Sequence, residues 1–228
     1  TDSKVLALKS VLDQVTLPST FKFLDVGCGT GDLTIFIANE LKIRHVYGVD
    51  IDECALARAK EKGIVTFKVD VSCEKLPFHD ETFDLVAMLN VIEHLMNPDF
   101  ALKEIHRVLK KHGFLLLTTP NLASWYNRVL LLFGKPVLGI DLSKEVRYQY
   151  PFNVTQVMSG HLRLYTLDSL RKLLEFHGFR IIKSRGYSQN FFKTEVRGFI
   201  RLVKVLDKLF ARRETFAANL LLLSIKED

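Results

Sequence analysis

Short apolar runs alternate with amphipathic stretches through most of the chain. Residues 21–26, FKFLDV, have strand character and break into Gly27, Gly29 and Gly31, after which Leu33, Ile37 and Leu41 recur at helical spacing. Residues 45–49 predict a second strand ending at Asp50. Asp52 is placed to cap a helix running to Lys62, with Gly63 as its stop. Residues 64–69 predict a third strand ending at Asp70, and residues 83–89 a fourth. Asn97 with Pro98 opens a helix carrying Leu102, Ile105 and Leu109; His112 and Gly113 read as a turn, and 114–119 as a fifth strand. Strands alternating with helices imply a parallel sheet covered on both faces, with ligands at the carboxyl ends of its strands.

Elsewhere the rhythm lapses. Residues 1–20 form a polar lead-in with one amphipathic helix (Val5, Leu8, Leu12), closed by Pro18 and expected to cover an edge. Residues 121–164 are an insertion, expected to act as a lid, with an apolar segment at 125–133. Thr166 then caps a helix through His177, Gly178 stops it, and 179–184 predict a sixth strand. A second helical insertion spans 187–215. Within its segment 194–213, Phe199, Leu202, Val203, Leu206, Leu209 and Phe210 share one helical face, while Arg197, Arg201, Lys204 and Lys208 fall largely elsewhere. Residues 220–225 make a closing strand. With no internal repeat, the expectation is one domain over 1–228 carrying two insertions.

Composition narrows the class. In 228 residues, 48% are hydrophobic, ample for a packed core and unlike a disordered chain. Lys and Arg number 32 against 26 Asp and Glu, a net +6 that suits anionic substrates, a membrane surface or RNA without choosing among them. The three cysteines, Cys28, Cys54 and Cys73, make neither an even disulfide framework nor a ligand spacing, so a reduced, cytoplasmic setting is expected. His45, His79, His106 and His177 form no constellation with them, and no metal is assigned. No charged-then-apolar leader and no uninterrupted bilayer-length apolar run stands out, so neither secretion nor membrane spanning is expected.

The candidate chemistry begins at the glycine turn. A strand, a tight turn and a helix start bring bare backbone and unpaired amides to one point, where a nucleotide-like molecule is expected. A purely structural turn is the alternative. The third glycine follows the second by two residues, where the dinucleotide fingerprint has three, so a diphosphate cofactor is disfavoured. Asp50 offers two oxygens and no donors, which is what paired hydroxyls require.

The order of LDVGCGTG, YGVDID, VDVSCEKLPFHDETFDLVAMLNVIEHL, LKEIHRVLKKHGFLLLTTPN and HLRLYTLDSLRKLLEFHGF resembles the class I S-adenosylmethionine-dependent methyltransferases, over about residues 21–184. The likeness is strongest to the small-molecule group that includes quinone-ring O-methyltransferases. It implies an α/β, Rossmann-like seven-stranded, mostly parallel sheet with helices on both faces and the last strand, 220–225, antiparallel. It also implies S-adenosyl-L-methionine as cofactor. Gly27, Gly29 and Gly31, with Cys28 among them, would underlie the methionine part, and Asp25 would lie near its ammonium. Asp50, followed by Ile51, would bind the ribose; Asp70 and Val71 would hold the adenine; Asn90 and Val91 would lie beside the sulfonium. Asp70 as a simple loop cap is the alternative at that position.

The implied reaction is in-line methyl transfer to a small or lipid-like acceptor, with oxygen the preferred atom. His94, just after the fourth strand, is a candidate proton acceptor, and Glu93 beside it shares that role; capping or packing is the competing reading. His161, in the last part of the lid, would orient substrate or act as base, or else pin the lid by a hydrogen bond. Other functions on the same architecture are a non-catalytic cofactor sensor or scaffold, hydride transfer with a dinucleotide, and RNA methylation. Nucleic acid is disfavoured: Asn90 is followed by Val91, Ile92 and Glu93, not by the Pro-Pro-aromatic stretch of exocyclic-amine enzymes, and no cysteine follows strand four or five. The segment 125–133 and the basic helix are either added core or a peripheral contact with anionic membrane.

Overall fold

The computed structural model of the chain describes residues 3–13, 20–150, 154–155, 159–188 and 199–227. Seven strands form one sheet: β1 (Lys22–Val26), β2 (His45–Asp50), β3 (Val65–Lys68), β4 (Phe83–Leu89), β5 (Leu109–Pro120), β6 (Phe179–Tyr187) and β7 (Asn219–Lys226). Their spatial order is β3-β2-β1-β4-β5-β7-β6. β7 runs antiparallel to both of its neighbours, and the other pairs are parallel. The order reverses between β1 and β4, which makes their carboxyl ends the natural ligand crevice.

Successive residues along each central strand point to opposite faces, and both faces are covered. Leu24, Val26, Val86, Met88, Leu115 and Leu117 enter one core with α4 (Pro98–Val108) and α6 (Leu167–Phe176). Phe23, Leu85, Ala87 and Leu116 enter a second core with α1 (Ser3–Leu12), α2 (Asp32–Glu40) and α3 (Glu53–Glu61). That two-sided burial is why the strands read as continuous apolar runs. Each fully buried aliphatic or aromatic side chain contributes about 1.5–3 kcal/mol relative to exposure.

Helix starts follow the side-chain chemistry of their caps. Asp52 Oδ1 accepts from the backbone N–H groups of Cys54 and Ala55, Asn97 Oδ1 from that of Phe100 with Pro98 following, and Thr166 forms a reciprocal capping box with Ser169. Such caps are worth about 1 kcal/mol each. The N-terminal helix buries Ala7, Leu8, Val11 and Leu12, with Val5 half-buried, and packs across β6 at the sheet's edge; Pro18 lies outside the described residues.

β5 departs from expectation. It starts at Leu109, and the His112–Gly113 pair is not a turn before the strand but part of an irregularity within it: Phe83 pairs with Leu109, while Leu85 pairs with Phe114. Lys110 Nζ ties this bulge to Asp84 Oδ1 at 2.7 Å, and a Cβ on Gly113 would lie 2.9 Å from the Lys110 carbonyl. The excess residues are absorbed as a bulge because β4 offers no partners for them.

The insertions meet each other. α5 (Trp125–Leu132) packs on α7 (Phe199–Phe210): Trp125 Nε1 donates to Asp207 Oδ1 at 3.1 Å, and its ring stacks on Phe210 at 5.6 Å, which stacks on Phe216 at 5.7 Å. The segment 189–198, Arg197 included, lies outside the described residues, and so do the side chains of 199–204, with Phe199, Arg201, Leu202, Val203 and Lys204 among them. None of the described helices is long and apolar enough to cross a membrane.

Candidate active site

The glycine turn opens the crevice by leaving side chains out. Gly27 and Cys28 both donate their N–H to the Val49 carbonyl, fastening the end of β1 to β2. At Gly27, φ is 73° and a Cβ would stand 2.3 Å from Val91 Cγ2, so no other residue fits beneath Val91. Gly29 has φ 52° and nothing within 4 Å of where its Cβ would be. Its bare backbone therefore borders open space, as close approach of a ligand requires. Gly31 packs tightly against Ile64 and Ala59 and ends in α2, whose first turn receives no side-chain cap. Cys28 points its side chain inward. Its side chain is buried over Gly48, where a Cβ would lie 2.7 Å from its sulfur, so only its backbone faces the turn. Burial pushes its thiol up to about 12, which removes it as a nucleophile.

Asp25, in the middle of β1, is 2% exposed. Thr34 Oγ1 donates to its Oδ2 at 2.6 Å, while Oδ1 is buried with no hydrogen-bond partner among the described residues. Burial is the main cause that pushes its carboxyl up to about 7; the Thr34 bond and the charge of Lys4 oppose the shift, and Asp50 adds to it. This is a buried carboxyl group with one oxygen unsatisfied. Thr34 was invisible in the sequence because it occupies an apolar-face position of α2; a fully buried hydroxyl in that stripe was the only available signal.

Asp50 closes β2. Its Oδ2 accepts from Gly29 N at 2.8 Å and its Oδ1 from Asp52 N at 3.0 Å, so each oxygen keeps acceptor capacity. Ile51 follows it, largely exposed. Asp70 serves its own turn, accepting from Ser72 N at 2.9 Å, with half-buried Val71 beside it packed on the core. The loop-cap reading of Asp70 is thus present, alongside whatever else the carboxylate does.

Beyond β4 a polar network joins four segments. Asn90 has φ 59°, a left-handed conformation that non-glycine residues take at a cost of about 1 kcal/mol or more and that concentrates at functional sites. Its Oδ1 accepts from Lys4 Nζ at 3.0 Å and Thr118 Oγ1 at 2.9 Å, and its Nδ2 donates to Glu93 Oε1 at 3.2 Å. Glu93 is fully buried, and its Oε2 accepts from Thr119 Oγ1 at 3.0 Å. Lys4, Thr118 and Thr119 had no signal in the sequence, since only the folded sheet brings them here.

His94 and His161 come together. Their ring centroids lie 4.8 Å apart at 62°, His94 on the 3-10 turn Ile92–His94 and His161 on the return of the segment 121–164. The return is fastened to that turn: Leu162 N and Arg163 N donate to the Glu93 carbonyl, and the Arg163 guanidinium to the carbonyls of Leu95 and Met96. His94 Nδ1 lies 3.1 Å from the Gly160 carbonyl and His161 Nδ1 2.8 Å from that of Gly139. A carbonyl only accepts, so both rings carry hydrogen on Nδ1 and, when neutral, leave Nε2 as a bare acceptor. His161 is thus tied through Nδ1 to the Gly139 carbonyl, within the segment 121–164.

The family described as "Methyltransferase domain" matches residues 24–117. The ubiquinone/menaquinone biosynthesis C-methyltransferase UbiE of Burkholderia cenocepacia is 36% identical over 181 residues, 75% of this chain and 72% of that protein. The protein of the same name from Paraburkholderia xenovorans is 35% identical over 109 residues, and there the match spans only 46% of this chain and 45% of the relative. Among solved structures, a SAM-dependent methyltransferase of Thermotoga maritima, described as a possible histamine N-methyltransferase, superposes with a TM-score of 0.64. It is 21% identical, over 99% of this chain and 90% of that one.

The Asp25 carboxyl carries a measurable consequence. Its value is about 7 folded against 3.8 unfolded, so folding takes up a proton between those pH values and stability falls as pH rises through them. Above pH 7 the full cost, on the order of 2–4 kcal/mol, is present. Asp25→Asn is expected to be more stable than the wild type at pH 8 by about 1–3 kcal/mol, with the advantage narrowing toward pH 5. Urea unfolding at both pH values checks this; an advantage that does not change with pH contradicts it.

Proposed function

Because the chain belongs to the S-adenosylmethionine-dependent methyltransferases, we propose that it methylates a small, lipid-like acceptor whose hydroxyl loses its proton at the His94–His161 pair. The observation that carries this reading is the pair itself, two imidazoles locked by backbone carbonyls with their Nε2 atoms free to accept. When bound, S-adenosylmethionine supplies a methyl group made electrophilic by its sulfonium.

The residues present fit that cofactor. The unpaired Asp25 oxygen would meet the ammonium, ionising as it does so. Gly29 leaves room for close approach, and the two Asp50 oxygens keep acceptor capacity for the ribose hydroxyls. Asp70 and Val71 would border the adenine, Ile51 the ribose, and Asn90 and Val91 the reacting carbon, with Gly27, Cys28 and Gly31 shaping the turn below. A dinucleotide reading has no such use for an unpaired buried carboxyl. The lid segment 121–164 would cover the acceptor and exclude water, which leaves positioning as the main source of rate.

Oxygen remains the first choice of acceptor atom, since the base frees a lone pair there. Carbon is the second reading, favoured because the UbiE relatives are named C-methyltransferases; a deprotonated phenol or enol carries nucleophilic density at both atoms. A lipid-like acceptor also accords with the exterior of α5. Leu131, Leu132 and Phe133 stand 57%, 80% and 70% exposed just before Lys135, and Val205, Lys208 and Leu209 are exposed on α7. Apolar side chains flanked by cations suit the surface of an anionic bilayer.

Asp50→Ala is expected to weaken S-adenosylhomocysteine binding at least about tenfold by calorimetry. His94→Gln and His161→Gln should leave that affinity within about twofold while lowering kcat by about 10²-fold or more on a phenolic acceptor panel. Unchanged turnover in both histidine variants would rule the pair out as the proton acceptor. Flotation with phosphatidylglycerol vesicles should carry the protein upward at low salt, and Leu132→Asp with Phe133→Asp should abolish this. Flotation unaffected by that double change would remove the membrane surface from this face.

A further inference from the structure

Glu93, His94 and His161 each bring a ligand-capable atom within 4.8 Å of the others. No other group of three or more such side chains occurs among the described residues. Proximity alone is ordinary on an exposed surface, but here each member is also held by hydrogen bonds. Both imidazoles donate from Nδ1 to a main-chain carbonyl, Gly160 for His94 and Gly139 for His161. That is the outer hydrogen bond by which metalloproteins hold a ligating histidine in the right tautomer, and it leaves Nε2 without a hydrogen.

The third member is an acid buried in full. Glu93 Oε1 and Oε2 each take one hydrogen bond, from Asn90 Nδ2 and Thr119 Oγ1, so each oxygen retains a lone pair. Those same bonds orient the carboxylate, as the outer contacts of metal-binding carboxylates do. The loop that presents His161 is itself braced: Asp141 accepts from Ser159 N and Gly160 N, and Leu162 N reaches the Glu93 carbonyl at 2.8 Å.

We propose that Glu93, His94 and His161 bind a divalent transition metal of the zinc class. Two neutral imidazoles and one carboxylate match zinc, cobalt or nickel better than magnesium or calcium, which prefer oxygen throughout. Three protein ligands leave a fourth position for water or an acceptor oxygen. Zinc–ligand bonds of about 2.0–2.1 Å place tetrahedral donors about 3.4 Å apart. The three groups therefore close in by at most about 1.4 Å, a movement within reach of the side-chain torsions of His94, which is exposed, and His161, which is half-buried. Occupied, the site joins the turn after β4 to the return of the lid segment through the metal as well as through hydrogen bonds. It also takes up the two Nε2 lone pairs assigned above to proton acceptance, so metal and proton compete for them.

The test uses the full chain, stripped of metal with a chelator and titrated with zinc chloride by calorimetry. One equivalent should bind with a dissociation constant in the micromolar range or below. His94→Ala and His161→Ala should each weaken it at least about tenfold, while Cys54→Ser with Cys73→Ser leaves it unchanged. Cobalt substitution should give the visible absorption of a four- or five-coordinate ion, lost in His161→Ala. S-adenosylhomocysteine binding by each variant checks that it is folded, and keeps this test separate from the methyltransferase reading. Zinc binding that is absent, or that survives both histidine changes, overturns the proposal even where S-adenosylhomocysteine still binds.

Discussion

A buried carboxyl group with one oxygen unsatisfied is the feature around which the carboxyl edge of the sheet is built. Asp25 lies in β1 between Gly48 of β2 and Ala87 of β4, at the centre of the crevice where strand order reverses. Thr34 satisfies one oxygen, and nothing among the described residues satisfies the other. Such a group opposes folding near neutral pH, and a structure keeps it when a ligand returns the energy. Small residues make the room. Gly27 lets Val91 close over the turn, and Gly48 lets the Cys28 side chain turn inward, so that backbone alone lines the approach.

The opposite wall of the crevice is made of contacts remote in sequence. Lys4 from the N-terminal helix, Asn90 at the end of β4, Thr118 and Thr119 from β5, and the lid return at 160–163 share one hydrogen-bond network through Glu93. Its polar members are nearly all engaged, which is the condition under which a buried network fixes geometry instead of loosening it. The two histidines inherit that rigidity. The two walls of the crevice are therefore held by different physics, one around an oxygen with no hydrogen-bond partner and the other by a dense set of hydrogen bonds.

Locally encoded features were legible in the sequence. β2 and β4, the caps Asp52, Asn97 and Thr166, and the stops Gly63 and Gly178 depend on residues within a few positions of one another, and they stand where the pattern puts them. The β5 bulge was not legible because it exists only against β4, and Lys110 meets Asp84 only across that pair. The same limit governed the site. Asp50, His94 and His161 could be singled out one by one from their places after strands or in the segment 121–164, and Asp25 by the family resemblance. That one carboxylate would be orphaned, and that the two imidazoles would face each other, needed the long-range register of the sheet. Cys28 lies in the glycine turn as its place suggested, with its side chain packed inward against β2, which the sequence did not show.

The proposed cofactor site requires that Asp25, protonated for the most part below pH 7 in the free protein, ionise when the ligand's ammonium arrives. Calorimetric titration with S-adenosylhomocysteine at pH 6.5, repeated in two buffers of different ionisation enthalpy, counts the protons that leave. With the carboxyl near 7 in the free protein, the account predicts release of about 0.5–0.8 proton per ligand bound, and none in Asp25→Asn. Binding with no proton released by the wild type would contradict it.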